Sequence, residues 1–255
     1  MVVFSMRRIT FLLSFACLFF SQTILAQNCK KIGVVASWPP LTVFDSTGAT
    51  GLDVEIVKAI FDQAGLCYKF VRLPSSARTF EEMGKGIIDV STMTSFTVER
   101  QKYGIFSESY RDEKMRLISL FKPRPIQNFK AILRKDHTIG LSIGSYYGKE
   151  LKKLLEHKKF KEQFVSLASA NSRISMLVKN RVDFIIDDII SAHYYKTTLG
   201  HDNIKIWPYI VHDNPVHLLL SHKSFTPYEV KIINGAINES QPKIDAIIMN
   251  YLVNN

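Results

Sequence analysis

Residues 31–65, KIGVVASWPPLTVFDSTGATGLDVEIVKAIFDQAG, contain one complete unit of strand, loop and helix. The first six residues form a short apolar run rich in β-branched side chains, which predicts a buried strand. After a loop, apolar residues recur at helical spacing from Asp53, and Gly65 ends the helix. Residues 68–92 repeat this order as strand, loop, helix and strand. Repeated units of strand and helix predict a parallel α/β sheet.

A second set of units follows the segment FKPRP, residues 121–125. Strands are predicted at 138–143, 164–167, 182–187 and 216–221, and helices at 148–157 and 172–180. Two closing helices are predicted after Pro227, with Pro242 separating them. No low-complexity linker divides the two sets, so the sequence predicts two lobes that pack together through a hinge.

The composition excludes disorder and low-complexity arrays, since 46% of the residues are hydrophobic and 22% are charged. The net charge is +10, from 33 Lys and Arg against 23 Asp and Glu. The most basic segment, KELKKLLEHKKFK at residues 149–161, places Leu151, Leu154 and Leu155 at helical spacing. We therefore expect a solvated helix face and no nucleic-acid partner.

The N-terminus has the layout of a secretory signal peptide. Arg7 and Arg8 precede the apolar run ITFLLSFACLFF, and small residues lead to Ala26. The run has 12 residues, fewer than the ~20 that a membrane-spanning helix needs. We predict that residues 1–26 are removed on export, with an uncleaved anchor as the alternative.

Two cysteines remain after this cleavage, Cys29 and Cys67. Each precedes a predicted strand, and the starts of parallel neighbouring strands lie side by side. In an oxidising compartment this placement predicts a disulfide, with two reduced buried thiols as the alternative.

The sequence contains no convincing motif for catalysis or for metal binding. GLSIG at residues 140–144 satisfies the G-x-S-x-G pattern of hydrolases, with Asp188 and His217 following in triad order. That pattern requires the serine on a sharp turn, whereas Ser142 falls inside a predicted strand. The seven histidines show no zinc spacing, so no metal or cofactor is expected.

Three segments together resemble the bacterial extracellular solute-binding proteins of family 3, the amino-acid receptors of ABC importers. They are WPPLTVFDSTGATGLDVEIVKAI, GKGIIDVSTMTSFTVERQKYGIFSESY and VKNRVDFIIDD. The resemblance implies an α/β, two-lobed periplasmic-binding-protein fold of type II. Each lobe would be a mostly parallel sheet flanked by helices, and a two-segment hinge would join them. Lobe 1 would comprise residues 27–118 and 216–255, and lobe 2 residues 119–215.

The resemblance also implies a ligand site. Arg100 matches the arginine that grips the ligand's α-carboxylate, and Ser95 and Thr97 match its partners. Gly144 and Ser145 match a loop whose backbone N–H groups bind the same carboxylate. The alternative for Arg100 is an ion pair at the protein surface.

Three further positions have weaker matches. Asp188 matches the acceptor of the ligand's α-ammonium, with a helix N-cap as the alternative. Trp38 matches the aromatic that packs on the ligand, with a buried core role as the alternative. Ser76 replaces a common cage aromatic, and nearby Arg78 is a candidate contact for a second anionic group, or else part of a salt bridge at the rim.

The function implied is that of a monomeric periplasmic receptor. It would capture an amino acid or related carboxylate in the interlobe cleft and deliver it to an inner-membrane ABC permease, without catalysis. Two alternatives remain: an enzyme of the same fold that dehydrates cyclohexadienyl carboxylates, and a sensory domain that signals to a membrane partner.

Overall fold

The computed structural model describes residues 29–133 and 136–254, so the predicted signal peptide lies outside the described residues. The strands are β1 (Lys30–Val35), β2 (Ser37–Trp38), β3 (Thr42–Asp45), β4 (Gly48–Thr50), β5 (Tyr68–Leu73), β6 (Val90–Ser95), β7 (Gly104–Ser119), β8 (Ile139–Ser142), β9 (Phe164–Leu167), β10 (Phe184–Asp188) and β11 (Lys205–Ser221). The helices are α1 (Leu52–Gln63), α2 (Ser76–Lys85), α3 (Lys130–Leu133), α4 (Gly148–Glu156), α5 (Ala170–Val178), α6 (Ile189–Thr197) and α7 (Pro227–Asn254). None of these helices is long and apolar enough to cross a membrane.

One eight-stranded sheet runs through the molecule in the order β5-β1-β6-β11-β7-β10-β8-β9. Its two ends are parallel, because β1 pairs in parallel with β5 and β6, and β8 does so with β9 and β10. We call β1, β5 and β6 with α1, α2 and α7 the first half, and β8–β10 with α3–α6 the second half. The strands β2, β3 and β4 form a small antiparallel sheet beside the first half.

The long antiparallel strands β7 and β11 join the halves. The C-terminal end of β11 pairs with β6 in the first half, whereas Met115–Ser119 of β7 pair with β10 in the second. β7 therefore pairs with β11 from residue 104 to residue 119, and β10 joins its other side from residue 115 onward. The predicted lobe bounds at 118/119 and 215/216 stay a prediction.

Helix α1 is positioned by a glycine turn. Gly51 has φ +112, and a Cβ there would lie 2.6 Å from the carbonyl oxygen of Leu41, so no other residue fits without a shift. The helix then buries Val54, Ile56 and Ile60 completely against the sheet.

The prediction of two closing helices is wrong, since α7 is one helix that contains Pro242. Apolar residues on both sides of the proline, Ile237 and Ile244, are buried in one core cluster. Pro242 itself is exposed. A proline removes one backbone hydrogen bond, and burial of both flanking turns offsets this loss.

A disulfide joins Cys29 and Cys67, whose Cα atoms are 4.6 Å apart. Lys30 and Tyr68, the next residue of each chain segment, begin the parallel register of β1 and β5. The bridge therefore ties together the starts of two neighbouring parallel strands.

Candidate ligand-binding cleft

Arg100 bridges the two halves. It follows β6 in a 3-10 turn, Val98–Lys102, where the Thr97 hydroxyl accepts from the Arg100 backbone N–H at 3.3 Å. One guanidinium nitrogen donates to the Ser95 carbonyl at 2.7 Å in the first half. Another donates to the Gly144 carbonyl at 2.8 Å in the second. The structure therefore brings Arg100, Ser95, Thr97 and Gly144 together.

The guanidinium of Arg100 also stacks over the ring of Phe80, with its carbon 4.8 Å from the ring centre. Burial lowers the pKa of Arg100 to about 10, while the nearby Glu113 opposes this shift. Arg100 is therefore still a cation at neutral pH. Its two strong acceptors are neutral carbonyls, and a carboxylate would make a stronger, charge-assisted pair with the same donors.

Gly144 is a point of close approach between the halves. It has φ +85, and a Cβ at this position would lie 2.3 Å from the backbone nitrogen of Ala77 in α2. Any side chain here would hold the halves apart.

The predicted role of the Ser145 backbone is not what the structure shows. Its N–H donates to the Ser142 carbonyl at 3.3 Å, because the loop turns back on itself before α4 begins at Gly148. The loop presents the carbonyl of Gly144 to Arg100, while the Ser145 N–H is used within the loop. Ser145 still lines the cleft.

Trp38 forms a second contact between the halves. Its indole N–H donates to Oδ1 of Asp187 in β10 at 2.6 Å, and the guanidinium of Arg173 lies 4.9 Å from its ring centre. Arg173 also donates to Oδ2 of Asp187 through Nε at 3.1 Å and Nη2 at 2.8 Å, and the Tyr195 hydroxyl does so at 2.7 Å. Trp38 is therefore both a cleft residue and a buried one, and Asp187 is the residue it meets.

Asp188 lies outside this cleft, contrary to the sequence prediction. Its Oδ1 accepts from the Ile190 backbone N–H at 2.8 Å and so caps α6. This is the helix N-cap named above as the alternative for Asp188. Its Oδ2 lies 3.6 Å from a guanidinium nitrogen of Arg111. Successive strand residues point to opposite faces, so the preceding residue, Asp187, faces Trp38 instead. Burial raises the pKa of Asp188, and Arg111 opposes this shift.

Arg111 is a buried residue that the sequence reasoning missed. Its guanidinium donates to both oxygens of Asp53 at the start of α1, at 2.9 and 2.7 Å, and the Tyr110 hydroxyl donates to the same carboxylate at 2.8 Å. With Asp188 on its other side, Arg111 ties α1 to α6 across the halves. Asp53 lies in the segment WPPLTVFDSTGATGLDVEIVKAI, which carries part of the family resemblance.

Glu113 is a second missed residue. It lies two positions after Arg111 on the same face of β7, lines the cleft and is 3% exposed. The hydroxyl of Ser95 donates to its Oε1 at 3.3 Å. Burial raises the pKa of Glu113 to about 8, with a further upward contribution from Asp188 and downward ones from Arg111, Ser95 and Arg100. Arg111, Glu113 and Met115 alternate along the chain as the buried residues of a strand do. Apolar periodicity does not detect them because two of the three are charged.

Arg78 does not reach the cleft, so its predicted contact to a second anion is not seen. It is 47% exposed and pairs with Glu81 at 3.0 Å and Glu82 at 2.8 Å on its own helix. These pairs correspond to the alternative reading, a salt bridge. An exposed pair between Glu99 and Lys152 does cross the cleft mouth, and it lowers the pKa of Glu99 to about 2.

The cleft is closed. Its cavity of about 20 Å³ is lined by Trp38, Ser76, Phe80, Ser91, Thr92, Met93, Thr94, Ser95, Arg100, Glu113, Ser145 and Tyr146. This volume is room for about one water, so an organic ligand can enter only if the halves separate. A larger cavity of about 320 Å³ lies on another side, between α6 and the end of α7, and Asp188 lines it. No cluster of three or more metal-ligating side chains occurs in the described parts of the chain.

The sequence of residues 31–138 matches the model of a protein family described as bacterial extracellular solute-binding proteins, family 3. The arginine-binding extracellular protein ArtP of Bacillus subtilis is 27% identical over 206 residues, which are 75% of this chain and 77% of that protein.

Two solved structures have the same fold. An ancestral arginine-binding protein bound to glutamine superposes with a TM-score of 0.72 at 21% identity, over 88% of this chain and 97% of that one. The substrate binding protein of an amino acid ABC transporter superposes with a TM-score of 0.70 at 19% identity, over 88% of this chain and 98% of that one. At these identities the superpositions establish the fold alone, and they confirm the predicted two-lobed α/β class.

Proposed function

We propose that this chain is a bacterial extracellular solute-binding protein of family 3 and that it captures an α-amino acid between its two halves. It then delivers the amino acid to a membrane importer of the ABC type without changing it. The relative ArtP is an arginine-binding protein, and one structural neighbour serves an amino acid ABC transporter, which supports this class of ligand and of partner.

The observation that carries the proposal is the position of Arg100. Its guanidinium lies in the cleft, is charged, and donates to neutral carbonyls of both halves. An α-carboxylate that replaces the Gly144 carbonyl would gain a charge-assisted pair of bonds from the same fork.

Ligand capture requires opening and closing. The closed cavity is too small for an amino acid, while Trp38 and Arg100 hold the halves together by bonds that cross the cleft. The ligand would exchange some of these bonds for its own contacts to both halves. Closure then stabilises the bound state because the ligand has its full set of contacts only in the closed form.

The remaining features belong to the same proposal. The receptor acts as a monomer outside the cytoplasmic membrane, in the periplasm, after removal of residues 1–26. The closed surface would be read by the permease. Removal of Arg7 and Arg8 with residues 1–26 lowers the net charge from +10 to +8, and this charge keeps the receptor soluble.

The test is a thermal-shift screen of residues 27–255 against the twenty L-amino acids, followed by isothermal titration calorimetry with L-arginine and L-glutamine. A ligand at 100 times its Kd stabilises by ~2.7 kcal/mol. Arg100→Lys keeps the charge but loses the fork, and we expect it to weaken binding at least ~10-fold. Arg100→Ala should weaken it ~100-fold or more.

Two matched variants serve as controls. Arg78→Ala removes an arginine that pairs only within its helix, and Arg124→Ala removes an exposed one. Both should bind as the wild type does. Binding that survives Arg100→Ala, or no binding by any amino acid, would contradict the proposal. So would turnover of prephenate or arogenate by the purified protein.

A further inference from the structure

We propose that Glu113 is the group that receives the ligand's α-ammonium and that it releases a proton when the ligand binds. This inference rests on the proposed function, because it assigns the second charged contact within the same site. It replaces Asp188, whose carboxylate caps α6 and faces another cavity.

Glu113 lies next to Arg100 in the cleft. Both side chains line the same closed cavity, and both are bonded to Ser95: its carbonyl accepts from Arg100 at 2.7 Å, and its hydroxyl donates to Glu113 at 3.3 Å. In an α-amino acid only one carbon separates the carboxylate from the ammonium. A ligand whose carboxylate lies on Arg100 therefore presents its ammonium within reach of a neighbour that shares Ser95.

The carboxyl group of Glu113 has no cationic partner among the described residues. In the described part of the chain, no ion pair within 4 Å involves Glu113, and Ser95 is its only hydrogen-bond donor. The two nearby cations are already engaged, since Arg111 donates to Asp53 and Arg100 donates to two carbonyls. A buried carboxylate without a counter-ion is costly, so the empty site favours the protonated acid.

The charges that face Glu113 come from several elements. Asp188 at the start of α6 disfavours a second negative charge, whereas Arg111 on β7 and Arg100 on the 3-10 turn favour one. Opposite Glu113 on β11 lies Asn214, which is neutral. Burial is the largest influence and raises the pKa of Glu113 to about 8.

An incoming ammonium reverses this balance, because it supplies the missing counter-ion in a site closed to water. The proton leaves Glu113 for the buffer, and a carboxylate–ammonium pair forms. Affinity should rise about tenfold from pH 6 to pH 7 and level off above pH 8.

The experiment is calorimetric titration with L-arginine and L-glutamine at pH 7, in phosphate and in Tris, whose ionisation enthalpies differ. From a pKa of about 8, the wild type should release ~0.9 proton per bound amino acid. Glu113→Gln keeps the shape of the side chain and should abolish the release. It should also weaken binding ~10- to 100-fold and remove the pH dependence. The arginine analogue 5-guanidinopentanoate, which lacks the α-ammonium, should cause no proton release in the wild type.

Glu108→Gln is the matched control, since Glu108 is an exposed glutamate of the same strand. It should release the proton as the wild type does. Binding of either amino acid with the same heat in both buffers, or proton release that persists in Glu113→Gln, would overturn this inference and leave the proposed function intact. Absence of binding by both amino acids and by the rest of the panel would overturn the two together.

Discussion

Replacing Trp38 by phenylalanine is expected to open the ligand-free protein. The Trp38 indole donates to Asp187 at 2.6 Å, and this bond joins β2 of the first half to β10 of the second. A hydrogen bond to a charged group contributes about 1.5–3 kcal/mol. Its loss should weaken the closed arrangement by a factor of roughly 10 to 150. Asp187 keeps its bonds from Arg173 and Tyr195, so the carboxylate is not left unpaired.

Small-angle X-ray scattering of the ligand-free protein measures the effect, since separation of the halves increases the radius of gyration. The matched control is Trp207→Phe. Trp207 is also buried, and its indole donates to the Ser119 hydroxyl at 2.8 Å, where β11 pairs with β7. That change should lower the free energy of unfolding by about 1 kcal/mol without altering the radius. A Trp38→Phe protein that scatters like the wild type, or one that expands no more than the Trp207→Phe protein, would refute the reasoning.

Three other predictions test the packing. Gly144→Ala should weaken amino-acid binding in calorimetry by at least ~10-fold, because its Cβ would meet the backbone of α2 at 2.3 Å; the control Gly200→Ala, with φ +71 and nothing within 4 Å, should bind normally. Cys67→Ser frees Cys29 and opens a loop with a sequence separation of 38, which should cost about 4 kcal/mol in urea unfolding; an equal midpoint for the reduced wild type and the oxidised one would contradict this. Arg111→Met leaves two buried carboxylates without their cation and should cost about 3–5 kcal/mol by the same assay, whereas a loss below 1 kcal/mol would show that the buried pair is dispensable.

The repeated units of the fold could be predicted from the sequence because local patterns encode them. The strand Tyr68–Leu73 begins at residue 68, where the repeated unit is predicted to start, and α1 begins within one residue of its predicted start at Asp53. The strands that join the halves could not be found in this way. Gly104–Ser119 carries charged residues at the successive positions 111–114, and two of its buried positions, Arg111 and Glu113, are charged and not apolar. Apolar periodicity cannot detect such a strand.

In the candidate site too, the residues fixed by a local motif could be predicted and the others could not. Arg100, Ser95 and Thr97 lie close together in the chain, so a local motif fixes their geometry. The residue that contacts the ligand's α-ammonium could not be predicted in this way. Residue spacing does not show which face of β10 Asp187 and Asp188 occupy, or which face of β7 Glu113 occupies, because a shift of one residue along a strand reverses the face. Asp188 therefore caps a helix while Asp187 meets Trp38.

A crystal structure of residues 27–255 with L-arginine bound would show whether Arg100 holds the ligand. We expect the ligand's α-carboxylate on the guanidinium of Arg100, in place of the Gly144 carbonyl that now accepts at 2.8 Å. We also expect the halves to be closed around the ligand. Arginine found in the 320 Å³ cavity beside Asp188, with the bond from Arg100 to Gly144 intact, would contradict this expectation.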